Sequence, residues 1–390
     1  MKKTLILIVL LLFTLAACST PATESVTDLL PGNDEPVPTE VAATEEPASS
    51  EEPVATAPTT DETGVASDEA ANEEVATCDN ADIPAPTAGN VMIRFRNLSG
   101  TEIIGLWHDT SQSPALLTDY FQLEDREAYD QETFIDHEWL LRDEEGNTLQ
   151  DYVASTEEKQ CVTIYPHFEY EGEDGPENWA ELSEHYETCN SGKEQSPIDL
   201  TNATMTDLEN ISFNYAETAV NIINNGHTIQ VQVIEGSQIV INGETYSLIQ
   251  FHFHAPSEHA VDSQGYPIEM HLVHRGANGN LAVVGVFIAE GAENTAFTPV
   301  WDQLPEEEIG IIATGATVHV ADLLPTDKTV YRYSGSLTTP PCSENVIWSV
   351  MKNPVEMSAG QIAAFNSIIE GNNRPLQPLD AHALQLDETP

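Results

Sequence analysis

Three histidines carry the most specific chemistry in this chain. In Gln250-Phe251-His252-Phe253-His254 a strand period of two puts Gln250, His252 and His254 on one face and both Phe on the other. In Glu269-Met270-His271-Leu272-Val273 the same parity groups Glu269, His271 and Val273, so an antiparallel neighbour strand can deliver a third imidazole. Three neutral nitrogens at about 2.0 to 2.1 Å leave one tetrahedral position of a zinc ion open to water, which is the catalytic rather than the structural arrangement. Two other metal sites compete for this pattern. His252-x-His254 followed by Glu258 and Gly265 also opens a cupin motif, whose jelly roll takes iron or manganese, but the second cupin motif is not found downstream. No His-Glu-x-x-His is present, which excludes the helical metalloprotease site.

These residues need strands to hold them, and the block from Tyr170 to about Leu384 supplies them. Apolar or alternating runs at Thr228 to Ile234, Leu248 to Phe253, Glu269 to His274, Leu281 to Ala289 and Val346 to Met351 are punctuated by Asn224-Asn225-Gly226 and Asn242-Gly243. Only Thr298 to Leu304 and Ser358 to Ile369 read as helix. Upstream, Val91 to Phe95, Ile103 to Trp107, Phe134-Ile135, Trp139 to Leu141 and Cys161 to Tyr165 read as the short strands of a small β-sandwich.

The N-terminal part is of another kind. Met1-Lys2-Lys3, an apolar run from Leu5 to Leu12 and Leu15-Ala16-Ala17-Cys18 form an export signal over residues 1–17. The run is too short to span about 30 Å of hydrocarbon. A Cys directly after Leu-Ala-Ala resembles the lipobox of bacterial lipoproteins, which implies that Cys18 carries a lipid and anchors the protein to the extracytoplasmic membrane surface. From Ser19 to Thr87 there is no Lys, Arg or aromatic residue, so residues 18–87 are expected to form a disordered acidic stalk. A net charge of -52, from 65 acidic and 13 basic side chains, argues against nucleic acid and anionic lipid as partners of the folded surface. With Cys18 assigned to lipid, four cysteines remain and allow three pairings. Cys78 with Cys161 and Cys189 with Cys342 would keep each block self-contained.

Gly175-Pro176-Glu177-Asn178-Trp179, Gln195-Ser196-Pro197-Ile198-Asp199, Asn224-Asn225-Gly226-His227, Phe251-His252-Phe253-His254, Ser257-Glu258-His259, Glu269 to His274, Ser336 to Pro341 and Asn373-Arg374-Pro375 follow one another in the order and spacing of α-carbonic anhydrases, which residues 166–390 resemble. The resemblance implies a mainly β fold with a large central twisted, mostly antiparallel sheet and few short helices. It implies reversible hydration of CO2 to bicarbonate by zinc-bound hydroxide, with His252, His254 and His271 as ligands and a bound-water pKa of about 7, a value known for carbonic anhydrases and not read from this sequence. Second partners would be Gln250 for His252, Glu269 for His271 and the backbone carbonyl of Asn372 for His254. Thr338 would accept from the hydroxide and donate to Glu258. Val273, Val283, Leu337, Thr339, Val346 and Trp348 would form the substrate pocket. His227 would shuttle protons at a pKa of about 6.5, through water ordered by Tyr170, Asn225 and Gln230. Gln230 replaces the Asn of fast members, and Ala255-Pro256 replaces the Trp-Gly of many animal members. In the bacterial branch Cys189 and Cys342 pair and brace the strand end carrying Thr338.

Residues 88–165 resemble the β domain of the von Hippel-Lindau tumour suppressor through Phe95 to Ser99, Trp107, Tyr120 to Leu123 and His137 to Asp143. In that family the positions of Trp107, Tyr120, Thr133, His137 and Trp139 line a hydroxyproline pocket, while Glu132 stands here where the pocket carries a further His. The block is therefore expected to be a spacer or accessory sandwich with core aromatics. A partner of unknown identity is what the resemblance adds.

Overall fold

A computed structural model describes residues 78–109, 116–233, 236–379 and 383–388. The export signal, Cys18 and most of the stalk lie outside the described residues. No helix among the described residues is long and apolar enough to cross a membrane.

The first block is a two-layer sandwich. One sheet runs β4 (Ala128–Thr133), β1 (Val91–Asn97), β7 (Lys159–Ile164), and the other β3 (Leu116–Leu123), β2 (Ile103–Asp109), β5 (Glu138–Asp143), β6 (Thr148–Val153). Val91, Ile93 and Phe95 alternate along β1 into a core completed by Phe121, Trp139, Leu141 and Ile164. Phe134 and Ile135, expected to be strand, instead form an exposed turn between β4 and β5. The short apolar pair is flanked by Thr133 and Asp136, and Asp136 adopts a positive φ of 67° that a strand does not accommodate.

The stalk boundary moves as well. Residues 78–87, expected to be disordered, belong to the sandwich: Ile83 is 1% exposed, Lys159 Nζ donates to the carbonyls of Asn80 and Ile83, and the Thr87 amide donates to Glu132. The Cys78–Cys161 disulfide, with Cα atoms 5.6 Å apart, fastens this segment to β7. One buried Ile, these hydrogen bonds and one covalent link oppose the ordering entropy that composition alone made to look prohibitive.

The second block holds β8 (Thr204–Met205), β9 (Ser212–Asn214), β10 (Glu217–Asn224), β11 (Ile229–Gln232), β12 (Gln238–Ile241), β13 (Glu244–His254), β14 (Ile268–Gly276), β15 (Leu281–Glu290), β16 (Ile309–His319), β17 (Val330–Ser336), β18 (Glu344–Met357) and β19 (Gln385–Asp387). Ten of them follow the order β16-β10-β11-β13-β14-β15-β18-β17-β19-β8, with β12 pairing β13 and β9 off that path. Pairing is antiparallel except for β15 with β18 and β19 with β8. The β12–β13 hairpin turns at Asn242 and Gly243, with φ of 51° and 76°, the left-handed pair that an Asn-Gly turn supplies at little steric cost. Ser358 caps the helix Ala359–Asn366 in a capping box with Gln361. The other expected helix covers Thr298–Trp301 only.

Strand parity divides the apolar residues between the two faces of the sheet. Phe251, Phe253, Met270, Leu272, Val284 and Val286 join one buried cluster, while Val273, Val283, Val346, Trp348 and Tyr333 join another. The histidines of β13 and β14 emerge beside the second.

Candidate active site

Register brings the three histidines together. His252 on β13 lies directly opposite His271 on β14, and His254 lies opposite Glu269. One nitrogen on each ring has an oriented partner. His252 Nδ1 is 2.8 Å from Gln250 Oε1, His254 Nδ1 is 2.7 Å from the Asn372 carbonyl, and His271 Nε2 is 2.9 Å from Glu269 Oε1. These contacts fix the tautomers, leaving Nε2, Nε2 and Nδ1 as lone-pair donors. Candidate ligand atoms of the three residues lie within 4.8 Å of one another. His254 Nε2 is buried without a hydrogen-bond partner, a costly state for a polar atom unless it serves as a ligand. Burial pushes the His252 and His254 rings below the usual imidazole pKa, so they stay neutral.

Glu269 anchors the rear of the site. Its Oε2 accepts the amides of Glu258 and His259 at 2.9 and 2.8 Å, and its Oε1 contacts His259 Nδ1 as well as His271. Burial opposes its charge, yet His259 and His271 outweigh burial and hold the carboxyl well below its usual range. From His259 the chain of contacts continues through Tyr333 Oη at 2.7 Å to Ser196 Oγ at 2.9 Å. Ser196 Oγ accepts the Ser336 amide, two residues from Thr338. His259, Tyr333 and Ser196 were not singled out from sequence, although His259 and Ser196 stand inside quoted motifs. Arg374 was missed in the same way. Its guanidinium donates to Gln195 Oε1 and to the carbonyls of Ser196 and Cys189, and its amide donates to Glu258 Oε1.

The expected hydrogen bond from Thr338 to Glu258 is not made. Glu258 Oε1 is taken by the Arg374 amide, and Oε2 has no hydrogen-bond partner, lying 3.5 Å from His254 Nε2 and 3.8 Å from His271 Nδ1. The carboxylate is thus turned toward the nitrogens. Thr338 itself is buried, in the loop closed by the Cys189–Cys342 disulfide with Cα atoms 5.0 Å apart.

Val273, Val283, Val346 and Trp348 form one apolar cluster with Leu337 against it, and Trp348 lies 4.8 Å from the His271 ring. Tyr170, Asn225, His227, Gln230, Gln250, His252, His254 and Thr339 line one cavity of about 1250 Å³. Asn225 Oδ1 accepts the His227 and Thr228 amides, which fixes the turn. His227 departs from expectation in its basicity. Its ring stacks on Phe168 at 4.3 Å, and burial, assisted by His167 at 5.4 Å, pushes its pKa down to about 4 rather than 6.5.

In the sandwich Trp107 lies 5.2 Å from His137 and 6.5 Å from Tyr120, Tyr120 lies 5.3 Å from Trp139, and Thr133 Oγ1 is 3.0 Å from His137 Nδ1. Trp139 belongs to the core, whereas Trp107 and Tyr120 are half-buried beside it.

A large mostly β sheet with three convergent histidines defines a scaffold with a candidate metal centre, and comparison with known proteins identifies its family. The profile of the eukaryotic-type carbonic anhydrase family matches residues 174–385. A carbonic anhydrase of Klebsiella pneumoniae is 44% identical over 227 residues, which is 57% of this chain and 92% of that protein. One of Nostoc sp. is 41% identical over 239 residues, 58% of this chain and 90% of its own. The solved structure of α-carbonic anhydrase from Thermovibrio ammonificans with the inhibitor sulfanilamide is 45% identical, with a TM-score of 0.55 and coverage of 57% of this chain and 98% of that one. The chain belongs to the eukaryotic-type, or α, carbonic anhydrase family. It is a carbonic anhydrase, an enzyme that hydrates CO2.

Proposed function

We propose that His252, His254 and His271 hold Zn(II), that the enzyme uses it to interconvert CO2 and bicarbonate, and that it does so outside the cytoplasm on a lipid carried by Cys18. The convergence of three oriented imidazoles on one point carries the reading. Three imidazole nitrogens, one of them buried and unpartnered, suit zinc better than the oxygen-rich sets that magnesium or calcium prefer. The ion, when bound, supplies Lewis-acid activation of water near neutral pH.

The chain's own residues do the rest. Gln250 Oε1, Glu269 Oε1 and the Asn372 carbonyl hold each ring in its metal-facing tautomer. Glu258 Oε2, without a hydrogen-bond partner, is the acceptor on offer to the Thr338 hydroxyl, which would orient the nucleophile. Val273, Val283, Leu337, Val346 and Trp348 form an apolar slot suited to an uncharged linear substrate. His227, across the cavity, would carry protons outward. The sandwich resembles the von Hippel-Lindau β domain and is read as an accessory to the enzyme.

The test uses the full-length chain. It should bind about one zinc per molecule and hydrate CO2, and Cys18→Ser should release it from membranes without changing turnover per molecule. Activity retained after complete removal of zinc would overturn the metal assignment, and a variant still bound to membranes after a high-salt wash would overturn the anchor.

A further inference from the structure

The catalytic cavity is not the property of the catalytic block alone. One wall carries His227, Gln230, His252 and His254, and the opposite wall is β6 of the sandwich with the turn after it. The two blocks approach closely enough that a side chain on Gly310 of β16 would meet His108 Nδ1 and Leu140 Cδ1 at 3.1 Å. β6 is an edge strand, paired among the described strands with β5 only, and Asp151 lies in its middle opposite Leu140.

Asp151 is half-buried and faces that cavity. The charged groups around it are Glu308, from the segment leading into β16, Glu138 and Arg142 on β5, and His108 on β2. Burial opposes its charge most strongly and the two carboxylates add to this, while Arg142 and His108 oppose them only in part. The result is a carboxyl pushed up to about 7. On the other wall His227 faces His167, Glu169 and the same Glu308. Glu308 Oε2 lies 3.3 Å from where a side chain on Gly226 would begin, one residue from His227. A proton on His227 in this position is held weakly, and the carboxyl across the cavity holds it more firmly.

We propose that Asp151, contributed by the sandwich, is a proton acceptor at the mouth of the catalytic cavity, taking up the proton each hydration releases and passing it to buffer. The proposal rests on the reading of the site given above. CO2 and water give bicarbonate and one proton. That proton leaves by way of His227 or cavity water, neutralises an Asp151 carboxylate oxygen, and passes to an external base, which restores the carboxylate. No electron is transferred. The sandwich then has a part in turnover rather than serving as a spacer.

The test again uses the full chain. In dilute buffer Asp151→Asn should lower kcat by about threefold or more with kcat/KM unchanged, because proton transfer follows substrate capture. Concentrated buffer base should erase the difference, and Asp151→Glu should keep most of the parental kcat. Independently of activity, NMR of the chain labelled with carbon-13 in its aspartate carboxyls should show a midpoint at about pH 7 that is missing from Asp151→Asn. A parental kcat for Asp151→Asn in dilute buffer, or an equal fall of kcat and kcat/KM, overturns the proposal. So does the absence of any aspartate titrating above about pH 6 in the parent, which needs no variant to fold. A parent that binds no zinc would strike the underlying site reading instead, and the NMR midpoint would still decide the case of Asp151.

Discussion

The floor and the mouth of the cavity are built on opposite plans. On the floor, His254 and His271 are each 1% exposed, every imidazole has a fixed partner, and Glu269 alone accepts contacts from two backbone amides and two rings. At the mouth, His227 and Asp151 are half-buried and come from different blocks, and both feel the charge of Glu308. The contrast separates two tasks. Holding an ion needs geometry fixed to fractions of an ångström, whereas passing a proton needs a graded series of affinities and room for water.

The contrast can be broken at several points. The largest effect should come from His271→Ala, because two imidazoles from one strand leave half a tetrahedron unfilled; activity should fall by a factor on the order of a thousand or more, with zinc lost in metal analysis. Full zinc occupancy at nanomolar free metal would show that His271 is not a ligand. Next in size is Glu269→Gln, which keeps the shape but removes the charge facing His259 and His271. Zinc affinity measured by chelator competition should drop about 10- to 100-fold, and an unchanged affinity would reduce Glu269 to a packing residue.

His227→Ala should have the smallest effect of the three, lowering kcat by up to about tenfold with kcat/KM nearly unchanged and recovery in millimolar imidazole. A parallel fall in both constants would make His227 structural. Its pH behaviour is also specified. With a folded pKa of about 4 against about 6.5 unfolded, the ring stays neutral at pH 7, and the stability it contributes by staying neutral is lost as pH falls from about 6.5 toward 4, where the unfolded chain binds more protons. The Ala variant should therefore lose less stability than the parent over that window in denaturant titrations. An equal loss would show that the ring in solution is not held against Phe168.

The floor was legible in the sequence because strand parity is local: Gln250, His252 and His254 share a face whatever surrounds them, and the Asn242-Gly243 turn announces its hairpin. The Cys189–Cys342 bridge and the apolar slot were legible by resemblance, and the Cys78–Cys161 bridge from pairing within each block. What stayed hidden depends on contacts between distant segments. Asp151 is an ordinary carboxylate in a polar strand until the fold buries it and adds the charge of Glu308, more than 150 residues later. Residues 78–87 share the composition of the residues before them, and the docking of Ile83 and the bridge to Cys161 are contacts that composition does not announce. The basicity of His227 was misread because nothing in Asn225-Gly226-His227 reveals that Phe168 will cover the ring.

The Cys78–Cys161 bridge also has a mechanical meaning. Any tension on the residues before Cys78 enters the described part of the protein at that sulfur and passes through a covalent bond into β7, which lies parallel beside β1 in the sandwich. The backbone from Asp79 to Asn90 is a second, longer covalent path, which enters the same sheet at β1. Tension applied at Cys78 is thus shared by two strands of one sheet and does not fall on the seat of Ile83 alone.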